Sequence, residues 1–308
     1  MYEKYFYLNE KPFHITPDPR FLYLSKNHRE AMDLLNFGIK EKKGFIMLSG
    51  EVGTGKTTLC RALLEKLPKK VETALILNPT LSDYELLKTI TDDFGLRVKG
   101  KSVKDHLDRL NGFLLKISAE GGNAVVIIDE AQNLNSGTLE MLRLLSNLET
   151  EKEKLLQVIL VGQPELRDKL DLPELRQLNQ RIIVRCHLNP LDAGETGVYI
   201  LNRLLVAGGA SSVKFDDEAQ KLVFKASGGI PRLINIICDR ALIAAFVADK
   251  RAVNAGVMAE ALVDLVREGC LAGDSAGGKP AYAKYIPHIA LSTFIIAIMA
   301  LIFWGPVF

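Results

Sequence analysis

Gly50-Glu51-Val52-Gly53-Thr54-Gly55-Lys56-Thr57-Thr58 is the stretch around which the chain is organised. It fits the spacing G-x-x-x-x-G-K-[ST] without a gap. Glycines let consecutive backbone N–H groups turn inward around a phosphate, and a helix beginning at the loop's end points its positive pole at the same anion. In that geometry Lys56 reaches the β- and γ-phosphates and the Thr57 hydroxyl binds Mg²⁺. The flanks supply the context the motif needs. Gly44-Phe45-Ile46-Met47-Leu48-Ser49 reads as a buried strand, and Leu59 to Leu67 carries apolar residues at helical spacing. Strand, glycine loop and helix in that order predict a nucleotide-binding α/β domain.

A second apolar run, Ala124-Val125-Val126-Ile127-Ile128, ends in Asp129-Glu130. A run apolar on both faces is what a central parallel strand requires, and ligands gather at the carboxyl ends of such strands. Asp129 is therefore expected to hold the Mg²⁺ hydration shell, and Glu130 to orient and activate the attacking water. A carboxylate pair there points to hydrolysis over nucleotide storage. The run Leu155 to Gly162 ends in Gln163-Pro164, where the amide either reads the γ-phosphate and the water or only opens a turn before the proline. Thr73 to Asn78 and Ile182-Ile183-Val184 are further strand candidates, with helices expected from Ser25 or Asn27 to about Lys42, from near Ser82, and from about Val103 to Ile117. An arginine before a strand, such as Arg181, is usually a surface charge.

From Asn189-Pro190 onward helical spacing takes over: Val198, Leu201, Leu204 and Leu205, then Ala219, Leu222 and Val223, then Leu233, Ile236, Ile237 and Ala241, then Ala261, Leu262 and Leu265. Pro231 in Gly228-Gly229-Ile230-Pro231-Arg232 is placed to start a helix, and Arg232 is either a surface cation or a group aimed at a phosphate. The organisation expected is residues 1–189 as an α/β domain with an aromatic and proline-rich N-terminal segment, 190–268 as an all-helical unit, 269–284 as a flexible linker, and 285–308 as a membrane span. Residues 285–308 contain no Lys, Arg, Asp or Glu, and about 20 apolar residues suffice to cross a bilayer as helix. Trp304, Tyr282 and Tyr285 suit the interfaces, and Lys279 and Lys284 favour a cytoplasmic N-terminal side.

The whole chain has 308 residues, 48% of them hydrophobic and 25% charged, which is enough for an ordinary core and two domains. A formal net charge of +2 gives no reason to expect a nucleic-acid partner. Cys60, Cys186, Cys238 and Cys270 form no C-x-x-C pair, so neither a zinc site nor a disulfide framework is indicated. The N-terminus shows no secretory signal. No Asn-Lys-x-Asp guanine-reading sequence is present, which favours ATP over GTP.

Five ordered stretches carry a family resemblance: Pro12-Phe13 with Thr16 to Ser25, the glycine loop Gly50 to Thr58, Ile128-Asp129-Glu130-Ala131-Gln132, Gly162-Gln163-Pro164-Glu165-Leu166, and Gly228 to Arg232. Together they resemble the AAA+ ATPases and, more narrowly, the ExeA-like group similar to general secretion pathway protein A. The resemblance implies a P-loop NTPase fold, a parallel sheet flanked by helices, followed by a small helical lid. It implies ATP and Mg²⁺ as ligands, with Gly50, Glu51, Val52, Gly53, Thr54, Gly55, Lys56, Thr57, Thr58, Asp129 and Arg232 binding them. It places Gln163 at the sensor 1 position, Arg232 at the sensor 2 position, and Arg181 as the arginine acting on a neighbour's nucleotide. That last role implies a homo-oligomer with ATP sites between subunits. The expected task is assembly or remodelling of a cell-envelope machine from the cytoplasmic face of the inner membrane, through a single-pass anchor. Relatives in secretion systems often continue past the span into a peptidoglycan-binding domain, and this sequence stops at Phe308. The rival reading is a DNA-associated ATPase such as a transposition helper.

Overall fold

The computed structural model describes residues 1–77, 79, 81–150, 153–209 and 213–271. In chain order the elements are α1 (Tyr2–Tyr5), a 3₁₀ turn (Pro19–Phe21), α2 (Lys26–Lys40), β1 (Phe45–Gly50), α3 (Lys56–Lys66), β2 (Val71–Ile76), α4 (Asp83–Asp93) and α5 (Val103–Ala119). There follow β3 (Asn123–Ile128), a 3₁₀ turn (Ala131–Asn133), α6 (Ser136–Leu145), β4 (Gln157–Gly162), α7 (Glu165–Leu170), a 3₁₀ turn (Pro173–Leu175), α8 (Arg176–Arg181) and β5 (Ile182–Leu188). The remainder is α9 (Ala193–Val206), β6 (Lys214–Phe215), α10 (Asp217–Ser227), α11 (Pro231–Val247), β7 (Ala252–Val253) and α12 (Ala255–Arg267). The described residues form two compact units: one within 17–189, and one of residues 1–16 together with those from 190 to 271.

In the first unit, β1, β3 and β4 are buried along their whole length. That is why they read as unbroken apolar runs. They lie in a five-stranded, all-parallel sheet of order β2-β3-β4-β1-β5. Pleating sends alternate residues to opposite faces. Ile46, Leu48, Val125, Ile127, Ile159 and Val161 join one core with Leu35 of α2 and Leu59 and Leu63 of α3. Phe45, Met47, Val126, Ile128, Val158 and Leu160 join the other with Leu86, Leu110 and Leu142 from α4, α5 and α6. Truncating one such leucine to alanine costs roughly 2–5 kcal/mol. Edge strand β5 alternates buried and exposed residues. It runs on to Leu188, beyond the Ile182-Ile183-Val184 run expected, because Arg185 and His187 point outward and break its apolar character.

Local signals set the helix starts. Ser25 caps α2, and Ser82, Ser102 and Asp192 cap α4, α5 and α9 in reciprocal capping boxes. Pro231 occupies the first turn of α11.

Two features of the second unit differ from expectation. Residues 1–16, expected with the α/β domain, cluster with the helices. The reason is burial: Phe6 and Phe13 are buried, Phe13 meets Phe215 edge-on with centroids 6.0 Å apart, and the Tyr2 hydroxyl donates to Asp239. Buried Arg203 donates to the carbonyls of Pro12 at 2.5 Å and His14 at 2.8 Å. The unit is also not wholly helical, since β6 and β7 pair in parallel. Strands of two residues are too short to show an alternating pattern. Among the described residues no helix is long and apolar enough to cross a membrane. The expected span 285–308, and the expected linker beyond residue 271, lie outside the described residues.

Candidate nucleotide site

Sheet order assembles the site. Because β3, β4 and β1 are consecutive neighbours, the segments that follow them emerge side by side at one end of the sheet. These are Asp129-Glu130, Gln163 and the loop Gly50 to Thr58.

The loop ends at Gly55, whose φ of +98° is a conformation that favours glycine, and α3 begins at Lys56. A side chain at Gly55 would also meet His28 Nε2 at 3.3 Å. The first amides of α3 have no carbonyl within the helix to receive them, so they face the loop's hollow as anion donors. A nucleotide phosphate fits this donor set. Lys56 Nζ donates to the Gly50 carbonyl at 2.7 Å and the Glu51 carbonyl at 2.9 Å, which holds it over the loop. Burial lowers the lysine's pKa, and the negative charges of Glu130, Asp129 and Glu51 oppose that shift.

Asp129 is buried, and both of its oxygens are committed. Oδ1 accepts from the Glu130 N–H at 2.9 Å, and Oδ2 accepts from Thr57 Oγ1 at 2.5 Å. A hydroxyl and a carboxylate brought together beside a phosphate cradle are hard oxygen donors of the kind Mg²⁺ takes alongside phosphate and water. Glu130 stands in the left-handed region with φ +52°. For a residue with a Cβ this costs on the order of 1–3 kcal/mol and clusters at functional sites. Its Oε2 accepts from Gln163 Nε2 at 3.1 Å and from Gln132 Nε2 at 2.5 Å. Lys56, Thr57, Asp129, Glu130 and Gln163 thus form one constellation.

Of the expected arginines, Arg181 belongs to the same unit as the loop and Arg232 to the other. Arg181 sits at the amino end of β5, where Ile182 pairs with Phe45, while the loop begins at the other end, where Leu188 pairs with Gly50. From Ile182 to Leu188 the strand runs roughly 20 Å at about 3.3 Å per residue. Arg181 Nη1 donates to the Arg143 carbonyl at 3.2 Å, to Asn147 Oδ1 at 2.7 Å and to Ser146 Oγ, closing the end of α6. Arg232 is an exposed residue in the first turn of α11, in the second unit.

Residues 39–170 match the family model described as AAA domain. This stretch, which holds the glycine loop and the acid pair, is similar to AAA domains. The chain is 51% identical over 247 residues to general secretion pathway protein A of Aeromonas hydrophila, an alignment covering 80% of this chain and 45% of that protein. This chain therefore spans about half the length of that relative. The AAA fold is also that of the Aeropyrum pernix ORC2 protein in its ADP form, with TM-score 0.62, 16% identity, and coverage of 91% of this chain and 89% of that one. A Drosophila ORC chain from a DNA-bound structure matches with TM-score 0.61, 21% identity, and coverage of 83% and 64%.

Three residues against the loop and the acid pair were not among the expected site residues. His28 is buried, with Nε2 3.1 Å from the Thr54 carbonyl and Nδ1 2.8 Å from Ser25 Oγ. A carbonyl only accepts, so Nε2 bears the proton and Nδ1 accepts from the serine hydroxyl. The ring thereby pins the loop to the start of α2. Gln132 bridges Glu130 and Gln163, and Lys169 Nζ donates to the Gln132 carbonyl at 2.7 Å and the Leu134 carbonyl at 2.6 Å. Of the three, Gln132 falls in one of the stretches that carry the family resemblance, and His28 and Lys169 fall in none.

Proposed function

We propose that this chain binds ATP with Mg²⁺, hydrolyses it, and uses the turnover to assemble or remodel a cell-envelope machine of the general secretion type. The observation that carries the catalytic part is the convergence of Thr57, Asp129, Glu130 and Gln163 on the glycine loop. Loop amides and Lys56 would hold the phosphates, and Thr57 and Asp129 would hold the metal, directly and through its water. The metal, when bound by these residues, would supply charge neutralisation for the phosphates. Glu130 would take a proton from the attacking water, and Gln163 would report the γ-phosphate to it.

Arg181 would act in trans. Its placement at the far end of β5 suits contact with the nucleotide of a second copy, so the working form would be a homo-oligomer with shared sites. Arg232 would contact phosphate from the helical unit. Residues 285–308 would anchor the protein in the inner membrane, with the ATPase domain in the cytoplasm. The envelope task is supported by 51% identity to a protein named for general secretion. The likeness to ORC proteins, at 16–21% identity, concerns the fold alone and gives the DNA-associated reading no comparable support.

The test combines three measurements on the full chain. Wild-type protein should hydrolyse ATP with Mg²⁺, and Glu130→Gln should retain ATP while turning over slower by orders of magnitude. Full-length protein should sediment with membranes, whereas residues 1–284 should not. Duplex DNA should bind weakly, and tight binding with a steep salt dependence would overturn the envelope reading.

A further inference from the structure

We propose that Gln132 is the positioning residue for Glu130, holding the carboxylate so that Oε1 alone is presented to the attacking water. The inference rests on the proposed role of Glu130.

Gln132 uses both ends of its amide. Nε2 donates to Glu130 Oε2, and Oε1 accepts from the backbone N–H of Gln163 at 3.1 Å. The Gln163 side chain closes the ring by donating to the same Glu130 oxygen at 3.1 Å. Two donors on Oε2 fill its two lone-pair directions and fix the plane of the carboxylate. Among the described residues no hydrogen bond falls on Oε1, the oxygen left to take a proton.

The surroundings are built for this arrangement. Lys169 clamps the turn that carries Gln132 by bonding its carbonyl. A Cβ at Gly162 would lie 2.7 Å from Gln132 Oε1 and 2.8 Å from the Leu166 side chain, so glycine at the end of β4 leaves the space the amide occupies. The left-handed backbone at Glu130 brings its side chain to that amide at a conformational cost the ring of bonds offsets. With Gln132 absent, only Gln163 would hold the carboxylate, and its oxygen would wander from the line of attack. Misplacement of about 1 Å in such a group can cost on the order of 10²-fold in rate.

The experiment is a double-mutant cycle on the full chain, with Gln132→Ala, Glu130→Gln and the pair, read as kcat, KM and affinity for a fluorescent ATP analogue. Gln132→Ala should lower kcat by roughly 10- to 100-fold. KM and analogue affinity should stay within about 2-fold, which also shows that the site is folded. In the Glu130→Gln background the same change should cost nothing further, because a residue acting through another has no effect once that other is gone. Gln132→Glu keeps the length and the acceptor for Gln163 but sets a carboxylate against Glu130, and it should be at least as slow as Gln132→Ala. Unchanged kcat in Gln132→Ala, an equal loss in both backgrounds, or a parallel loss of analogue affinity would overturn the inference. Wild-type turnover by Glu130→Gln would remove the Glu130 reading itself, and this inference with it.

Discussion

Thr57 Oγ1 donates to Asp129 Oδ2 at 2.5 Å, joining the start of α3 to the end of β3 across 72 positions of sequence. The bond sets an oxygen of the loop beside one of the acidic motif, the two proposed to hold the metal. Thr57→Val keeps the shape and removes the hydroxyl. Hydrogen bonds involving a charged group are worth about 1.5–3 kcal/mol, so the Mg²⁺ concentration giving half-maximal turnover should rise by roughly 10- to 100-fold. A Mg²⁺ titration of ATPase rate checks this, and an unchanged midpoint would exclude Thr57 from the metal site.

Lys56 is the loop's cation, held by two carbonyls of the loop it serves. Lys56→Ala should abolish binding of a fluorescent ATP analogue without loss of folded structure. Because burial lowers the pKa of this lysine, the charged form gives way at lower pH than an ordinary lysine would, at about 10.4. Analogue affinity of the free protein should therefore fall earlier on the alkaline side. Wild-type affinity in Lys56→Ala would remove the loop assignment.

Arg181 has a structural tie as well as its proposed trans role, since its guanidinium closes the end of α6. A rate loss in Arg181→Ala alone is thus ambiguous. Mixing Arg181→Ala subunits with Lys56→Ala subunits resolves it: a shared site pairs an intact loop with an intact arginine and restores part of the activity. Absence of rescue at every ratio would argue for a purely structural arginine.

Arg203 fastens the N-terminal segment through the Pro12 and His14 carbonyls from a buried position. Arg203→Met keeps much of the volume and strands both carbonyls. The expected cost is about 2–4 kcal/mol, with residues 1–16 becoming the first site of limited proteolysis. Denaturant melts and cleavage mapping read the two effects, and an unchanged midpoint would show that the buried aromatics and the Tyr2–Asp239 bond secure the segment without Arg203.

Much of the fold was legible along the chain. β1, β3 and β4 announced themselves because a strand buried on both faces must be apolar throughout. The starts of three helices were marked by Ser25 or Asn27, by Ser82 and by Pro231, and the structure caps the first with Ser25, because such side chains satisfy, and the proline ring removes, amides that a helix leaves open. β5 was only half legible, since an exposed edge admits Arg185 and His187. β6 and β7 were not legible at all, because two residues define no period.

The chemistry on offer can be read along the chain: a glycine loop, an acid pair and a polar strand end, each recognisable because such chemistry needs particular residue types at short, fixed spacing. How they meet is a property of the folded chain. Placing β3 and β4 beside β1 is a matter of long-range strand pairing, and no local spacing records it. The same holds for His28 under the loop, Gln132 against Glu130, and the aromatic N-terminus on the helices across nearly the full described chain. Those contacts depend on which distant backbone groups lack a partner and which side chain the fold happens to bring within about 3 Å of them.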